Sequence, residues 1–177
     1  MRVIAGAYRG RTLLAPVGLE TRPTADRVRE AVFSILGSVE EARVLDLFAG
    51  SGALGIEALS RGAAEATLVD CSRAASATIA RNLRAVGCSA QVHRVQAAEF
   101  LGRAQQAARQ YDLVFLDPPY RLADVLGPEL SPALVPVLAP AARIVVESDR
   151  RAPLELDLPV LAQRRYGDTL IRIHGPR

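Results

Sequence analysis

Residues Val44-Leu45-Asp46-Leu47-Phe48-Ala49-Gly50-Ser51-Gly52-Ala53-Leu54-Gly55 constrain this chain more than any other stretch. An apolar run leads into Gly50, Gly52 and Gly55 at the GxGxxG spacing, and a helical pattern follows. Glycines at these positions let the backbone turn sharply and come close to a ligand. Asp70 closes the next apolar run, 20 residues after Gly50. There a carboxylate can accept hydrogen bonds from both ribose hydroxyls. Strand, glycine turn, helix and acid-ended strand together specify a βαβ unit around a nucleoside-type ligand.

The rest of the chain extends that unit. Strands are predicted at Val44–Phe48, Ala66–Asp70, Gln91–Val95, Leu113–Asp117 and Arg143–Glu147, with helices starting near Gly52, Ser72 and Ala98. The second helix is the best marked: Ser72 caps it, Ala75, Ile79, Leu83 and Val86 share one face, and Gly87 stops it. Pro128, Pro132, Pro136 and Pro140 recur every four residues and predict broken helical pieces, with Ser131 as a cap and Pro132 at the first helical position. Val160–Tyr166 and Thr169–His174 flank Gly167-Asp168, a two-residue hairpin signal. The expected fold is α/β: a Rossmann-like, doubly wound, mostly parallel seven-stranded sheet ending in an antiparallel hairpin. It occupies residues 41–177 as one compact unit.

Residues 1–40 read as an extension. Arg2–Ala5 and Arg11–Leu14 look like two short strands of a hairpin. A helix follows, with Thr24 as cap, Asp26 in its first turn and Gly37 as its stop. Val28, Ala31, Val32, Ile35 and Leu36 make the apolar face. Asp26, Arg27, Arg29 and Glu30 lie towards the other side, as a solvated face or as a binding one. Residues 1–29 hold Arg2, Arg9, Arg11, Arg22, Arg27 and Arg29 against Glu20 and Asp26, a local excess of +4 where the whole chain carries +3.

Composition excludes several classes. No apolar run approaches the roughly 20 residues of a membrane helix. The start, Met1-Arg2-Val3-Ile4-Ala5-Gly6, is no secretory signal, so a cytoplasmic chain is expected. Cys71 and Cys88 stand outside any CxxC, and His93 and His174 lack partners at metal or catalytic spacing. Neither a disulfide framework nor a metal site is expected, and both histidines read as surface or strand-end residues. Cys71 follows Asp70 and reads as a small buried filler or as part of an adenosine pocket. All 22 basic residues are Arg, a codon bias that also suits phosphate, because the guanidinium fork binds oxyanions bidentately.

Two acids carry the chemistry. Asp46 at the strand tip would repel a pyrophosphate held at the helix N-terminus. It suits a ligand with an ammonium and a sulfonium, which S-adenosylmethionine has and dinucleotides lack; it equally suits a turn ligand for the glycine loop. Asp117 ends four apolar residues and opens Asp117-Pro118-Pro119-Tyr120. Two prolines fix an extended turn that presents carbonyl oxygens, that of Pro118 in particular, beside the Asp117 carboxylate. These are acceptors for an exocyclic NH2 group. Tyr120 offers a face on which a base can stack. A rigid loop with a core-packed Tyr is the bland alternative.

Asp117-Pro118-Pro119-Tyr120 resembles the (N/D)PP(Y/F) motif of class I S-adenosylmethionine-dependent amino-methyltransferases. Arg2-Val3-Ile4-Ala5-Gly6 with Arg9-Gly10-Arg11, and the segment Thr21-Arg22-Pro23-Thr24-Ala25-Asp26-Arg27-Val28-Arg29-Glu30-Ala31-Val32-Phe33, narrow the likeness. They are similar to the N-terminal signature of the D-type bacterial 16S ribosomal RNA guanine-N2 methyltransferases, which act on the small ribosomal subunit. Asp46–Gly55 and Tyr166-Gly167-Asp168-Thr169 resemble that family too. The Pro-rich stretch departs from the regular helix that family is expected to keep. The resemblance implies S-adenosylmethionine held by Asp46, Phe48, Gly50, Gly52, Gly55, Asp70, Cys71 and the Ala97 and Ala98 backbone. It implies catalysis by Asp117, Pro118 and Tyr120. It also implies 16S rRNA in the 30S subunit or an assembly intermediate as substrate, bound by Arg2, Arg9, Arg11, Arg22 and Arg27, with the protein acting as a monomer without metal or membrane. A DNA adenine-N6 methyltransferase would share Asp117–Tyr120, and a non-catalytic RNA-binding assembly factor would share the fold. A nicotinamide oxidoreductase is opposed by Asp46.

Overall fold

The computed structural model describes residues 1–16, 26–119 and 123–176. Strands β1 (Arg43–Leu47), β2 (Glu65–Val69), β3 (Gln91–His93), β4 (Tyr111–Leu116), β5 (Leu138–Asp149), β6 (Val160–Tyr166) and β7 (Thr169–His174) form one sheet in the order β3-β2-β1-β4-β5-β7-β6. Pairing is parallel from β3 to β5 and antiparallel at β5/β7 and β7/β6. The expected doubly wound sheet with a terminal hairpin is what forms.

Helices cover both faces, as a parallel sheet requires. On one side α1 (Asp26–Leu36), α2 (Ala53–Ser60) and α3 (Arg73–Val86) pack Val32, Phe33, Ile56 and Ile79 onto Val44, Leu68, Phe115 and Val145. On the other, α4 (Ala97–Gln106) and α5 (Ala123–Leu134) pack Phe100, Leu101, Leu130 and Leu134 onto Leu45, Leu47, Val114 and Val146. Helix α3 has the caps its sequence promised: Ser72 Oγ accepts from Ala75 N at 3.3 Å, and Gly87 turns left-handed at φ 79°.

Several boundaries differ from expectation. β1 stops at Leu47 because Phe48 leaves the strand at φ 70°. Asp70 and Asp117 lie just past β2 and β4 rather than inside them, β3 ends at His93 instead of residue 95, and β5 extends to twelve residues. The two N-terminal strands reduce to an isolated bridge, Arg2 to Thr12. The Pro-rich stretch is a continuous helix, α5, followed by a 3-10 turn at Val135–Val137. Four-residue spacing puts Pro128 and Pro132 on one exposed face, while Gly127, Leu130, Ser131 and Leu134 face inward. Ser131 is not a cap: its hydroxyl donates to Gly127 O at 2.7 Å within the helix. A Cβ at Gly127 would lie 2.2 Å from the Glu155 carbonyl, so this helix sits against the 154–158 segment only with glycine there.

The N-terminal arm is fastened by buried polar groups. Glu57 accepts from Ile4 N at 2.7 Å and Ala5 N at 3.0 Å, and Ser60 Oγ accepts from Tyr8 N at 3.0 Å. Asn82 pairs with both Leu14 N and Leu14 O. Arg29 belongs to neither a solvated nor a binding face. Its side chain is 0% exposed, pairs with Asp26 and Glu57, and donates to Arg2 O. His174 ends a strand as expected but is fully buried, with Nδ1 3.0 Å from Leu158 O.

Candidate active site

Order reverses in this sheet between β1 and β4, whose carboxyl ends lie side by side with Leu47 opposite Leu116. Open α/β sheets bind ligands in the crevice at such a point. The residues leaving β1, β2 and β4 there are Phe48, Asp70 and Asp117. Beyond them, Glu147 on β5 occupies the register position beside Asp117, because Leu116 pairs with Val146; its side chain is buried.

The glycine loop is wound by its own backbone and two carboxylates. Phe48, Gly50 and Gly52 have φ of 70°, 56° and 77°, and Gly52 N donates to Ala49 O at 2.7 Å. A left-handed non-glycine residue such as Phe48 is a strained feature typical of ligand sites. Asp70 Oδ2 accepts from Gly50 N at 2.9 Å and Oδ1 from Ser72 N at 2.8 Å. Each oxygen is thereby oriented and keeps a further lone pair. A Cβ at Gly50 would meet nothing nearer than 3.9 Å, so space in front of the loop is open. Gly55 serves packing instead: a Cβ there would overlap Leu68 at 2.2 Å.

Asp46 is 1% exposed, and its Oδ2 accepts from Gly55 N at 3.1 Å. Of its two readings, the turn ligand is the one seen. Burial pushes its pKa up to about 7, the Gly55 amide opposes this, and the nearby Asp70 charge adds to it. Cys71 is exposed beside Asp70, not a buried filler. Ala97 and Ala98 open α4 with no side chain capping the helix, so their amides point outward beyond β3. These donors and acceptors suit a ligand with ribose hydroxyls and a purine edge.

After β4, Asp117 is half-buried, Pro118 buried and Pro119 exposed. Tyr120 and Arg22 lie outside the described residues. Among the described RNA-binding candidates, Arg2, Arg9, Arg11 and Arg27 are exposed. The arm's turn at Gly6–Gly10 rests on Ser60, at the far end of α2, with Ala7 N donating to Ser60 O at 2.7 Å. Arg9 therefore lies towards the amino edge of the sheet, not beside Asp117.

Sequence reasoning missed Glu57, Asn82 and Glu147. Glu57 interrupts the apolar Ile56-Glu57-Ala58 on a buried helix, and Asn82 falls between Ile79 and Leu83 on the apolar face of α3. A polar residue at a core position was the available signal in both. Asn82 also donates to Ser51 O at 2.8 Å, joining arm to glycine loop. Among the described residues no helix is long and apolar enough to cross a membrane, and no cluster of His, Cys, Asp or Glu is placed to hold a metal ion.

Residues 1–175 match the family described as Conserved hypothetical protein 95. Ribosomal RNA small subunit methyltransferase D of Escherichia coli (strain K12) is 46% identical over 123 residues, which span 68% of this chain and 61% of that protein. The protein of the same name from Haemophilus influenzae is 35% identical over 164 residues, 87% of this chain and 81% of that one. Among solved structures, a hypothetical protein of Thermus thermophilus superposes with a TM-score of 0.86 at 30% identity, covering 99% of both chains.

Proposed function

This chain belongs to the Conserved hypothetical protein 95 family, and on that footing we propose that it methylates the exocyclic N2 amino group of a guanine in 16S rRNA, using S-adenosylmethionine. The observation that carries the reading is the placement of Asp117-Pro118-Pro119 at the carboxyl end of β4, next to the glycine loop of β1. An amine acceptor and a nucleoside cradle share one crevice. S-adenosylmethionine supplies a methyl group already activated on a sulfonium.

The chain's residues do the rest. Asp70 accepts from the ribose hydroxyls, and the Ala97 and Ala98 amides meet the adenine edge. The 50–52 loop admits the amino-acid portion close to backbone, with Phe48 and Cys71 at the margins. Asp46 holds the loop from below through Gly55.

The guanine amine is a poor nucleophile because its lone pair is delocalised into the ring. The Asp117 carboxylate and Pro118 carbonyl accept its two hydrogens, turn the lone pair towards the methyl group and stabilise the positive charge that develops. Alignment for in-line transfer supplies much of the rate. The proton then leaves to Asp117 or solvent. A paired base cannot reach this crevice, so the guanine is unpaired or flipped, with Tyr120 stacking on it. Arg2, Arg9, Arg11, Arg22 and Arg27 hold RNA phosphates. The protein acts as a cytoplasmic monomer on the 30S subunit or an assembly intermediate.

The test is to incubate purified protein and S-adenosylmethionine with 30S particles, free 16S rRNA and adenine-containing duplex DNA, then digest each to nucleosides for mass spectrometry. N2-methylguanosine in the RNA arms is the expected product. N6-methyladenosine in DNA would establish the DNA reading instead, and cofactor binding without any product would establish the assembly-factor reading.

A further inference from the structure

The geometry points to a second phosphate-binding surface, formed by Arg150, Arg151 and Arg165 at the carboxyl end of β5 and the tip of the β6/β7 hairpin, which holds RNA phosphates on that one flank of the target nucleotide. This rests on the rRNA reading above and concerns a different part of the molecule from the arm.

The strand register places the surface. β5 neighbours β4, and Glu147 stands beside Asp117. Arg150 follows three residues later, about 10 Å further along the strand direction and one strand spacing, about 4.8 Å, to the side. β6 runs parallel to β5 with β7 between them, so Arg165, opposite Leu170 and level with Ser148, reaches the same edge. Arg150 and Arg151 thus stand beside the crevice that holds Asp117, and Arg165 continues the same edge two strand spacings, about 10 Å, farther out.

Their charge is only partly committed. Arg150 and Arg151 share one acceptor, Asp168 Oδ1, at 3.8 and 3.5 Å, and their side chains are 46% and 74% exposed. Exposed pairs at such separations contribute little and yield readily to a stronger anion. Arg165 is exposed and pairs with no acid among the described residues. The corner's backbone is fixed: Arg150 N donates to Asp168 O at 2.8 Å and Arg151 N to Asp149 Oδ1 at 2.7 Å. The guanidinium groups therefore project from a rigid strand end, and bidentate forks there match phosphate oxygens.

The turn of the arm lies too far off to fill this role. Its turn packs on Ser60, at the end of α2 remote from the glycine loop. Eight helical residues span about 12 Å, so Arg9 and Arg11 meet RNA well away from the reacting base. The β5 corner, one strand from Asp117, is the described basic surface near enough to take the phosphates that flank a nucleotide held there.

The experiment compares wild type, Arg150→Gln/Arg151→Gln/Arg165→Gln and Arg9→Gln/Arg11→Gln proteins. It measures binding to 30S particles across a salt series, S-adenosylmethionine affinity by calorimetry, and N2-methylguanosine formed. The corner variant is expected to keep cofactor affinity, lose about 2 from the log-log salt slope, and bind roughly 100-fold more weakly at about 0.1 M salt. A corner variant with the wild-type slope and affinity would overturn the proposal, as would loss confined to the arm variant. Failure of the rRNA reading looks different: wild type itself would form no N2-methylguanosine and show no salt-dependent binding.

Discussion

Arg29 Nε lies 3.7 Å from Glu57 Oε2, and neither side chain is exposed to solvent. The pair joins α1 to α2 beneath the arm, and Glu57 also takes Ile4 N, Ala5 N and Arg61 Nε. Removing Glu57 leaves the buried Arg29 with Asp26 alone and the Ile4 and Ala5 amides without their acceptor, and breaking a buried charge pair costs up to about 3–5 kcal/mol. Glu57→Ala is expected to lose stability on that scale in denaturant unfolding. Glu57→Gln is expected to lose less, because its amide oxygen still accepts from the arm. A loss under about 1 kcal/mol for Glu57→Ala would mean that Val3 and Leu13 hold the arm by apolar contact alone.

Asp46 makes stability depend on pH. Its carboxyl titrates near 7 in the folded chain, raised by burial from 3.8. Between those values the folded state keeps a proton that the unfolded state releases, so stability falls as pH rises through this window. Asp46→Asn removes that titration while its amide oxygen can still accept from Gly55 N. Unfolding free energies at pH 5 and pH 8 are expected to show the variant gaining about 2–3 kcal/mol on wild type across the interval. Parallel pH profiles would show that Asp46 is ionised throughout.

Asp70 ties the glycine loop to Ser72 and is proposed to hold the ribose, and two substitutions separate these roles. Asp70→Ala removes the acceptor for ribose and for Gly50 N and Ser72 N together. Asp70→Asn keeps one oxygen for a backbone amide. Calorimetric titration with S-adenosylmethionine is expected to show a loss of about 1–3 kcal/mol for Ala, since the ribose acceptor is gone, and a smaller loss for Asn. Melting should fall modestly for Ala, because the part-buried Gly50 and Ser72 amides lose their acceptor. Unchanged affinity in folded Asp70→Ala would remove Asp70 from the cofactor site.

The sheet was legible because parallel strands buried on both faces read as apolar runs, and because Ser72 and Gly87 bracket α3 with caps that act locally. The glycine loop and its tie to Asp70 were legible because Gly50, Gly52, Gly55 and Asp70 form a pattern within 21 consecutive residues. What stayed hidden depends on partners distant in sequence. Arg29 looked like a surface charge because Glu57, 28 residues on, is what buries it. Continuous α5 contradicted its prolines because Pro128 and Pro132 share the solvent face while Gly127 admits Glu155 backbone. The remoteness of Arg9 from Asp117 follows from the arm's turn packing on Ser60, and a count of arginines carries no position.

Asp117 should separate chemistry from binding. Its carboxylate follows β4 directly, while the residues proposed for the cofactor leave β1, β2 and β3. Asp117→Ala is therefore expected to leave S-adenosylmethionine affinity within about twofold and to lower the single-turnover methylation rate by about 10²-fold or more, on the scale of losing one preorganised transition-state contact. Asp117→Asn is the sharper variant. Its oxygen still accepts one amine hydrogen, but it carries no charge to stabilise the developing cation and no base to take the proton. A rate between those of wild type and Asp117→Ala is expected. If Asp117→Asn equals wild type at every pH, the carboxylate charge plays no part, and the Pro118 carbonyl must orient the amine with solvent taking the proton.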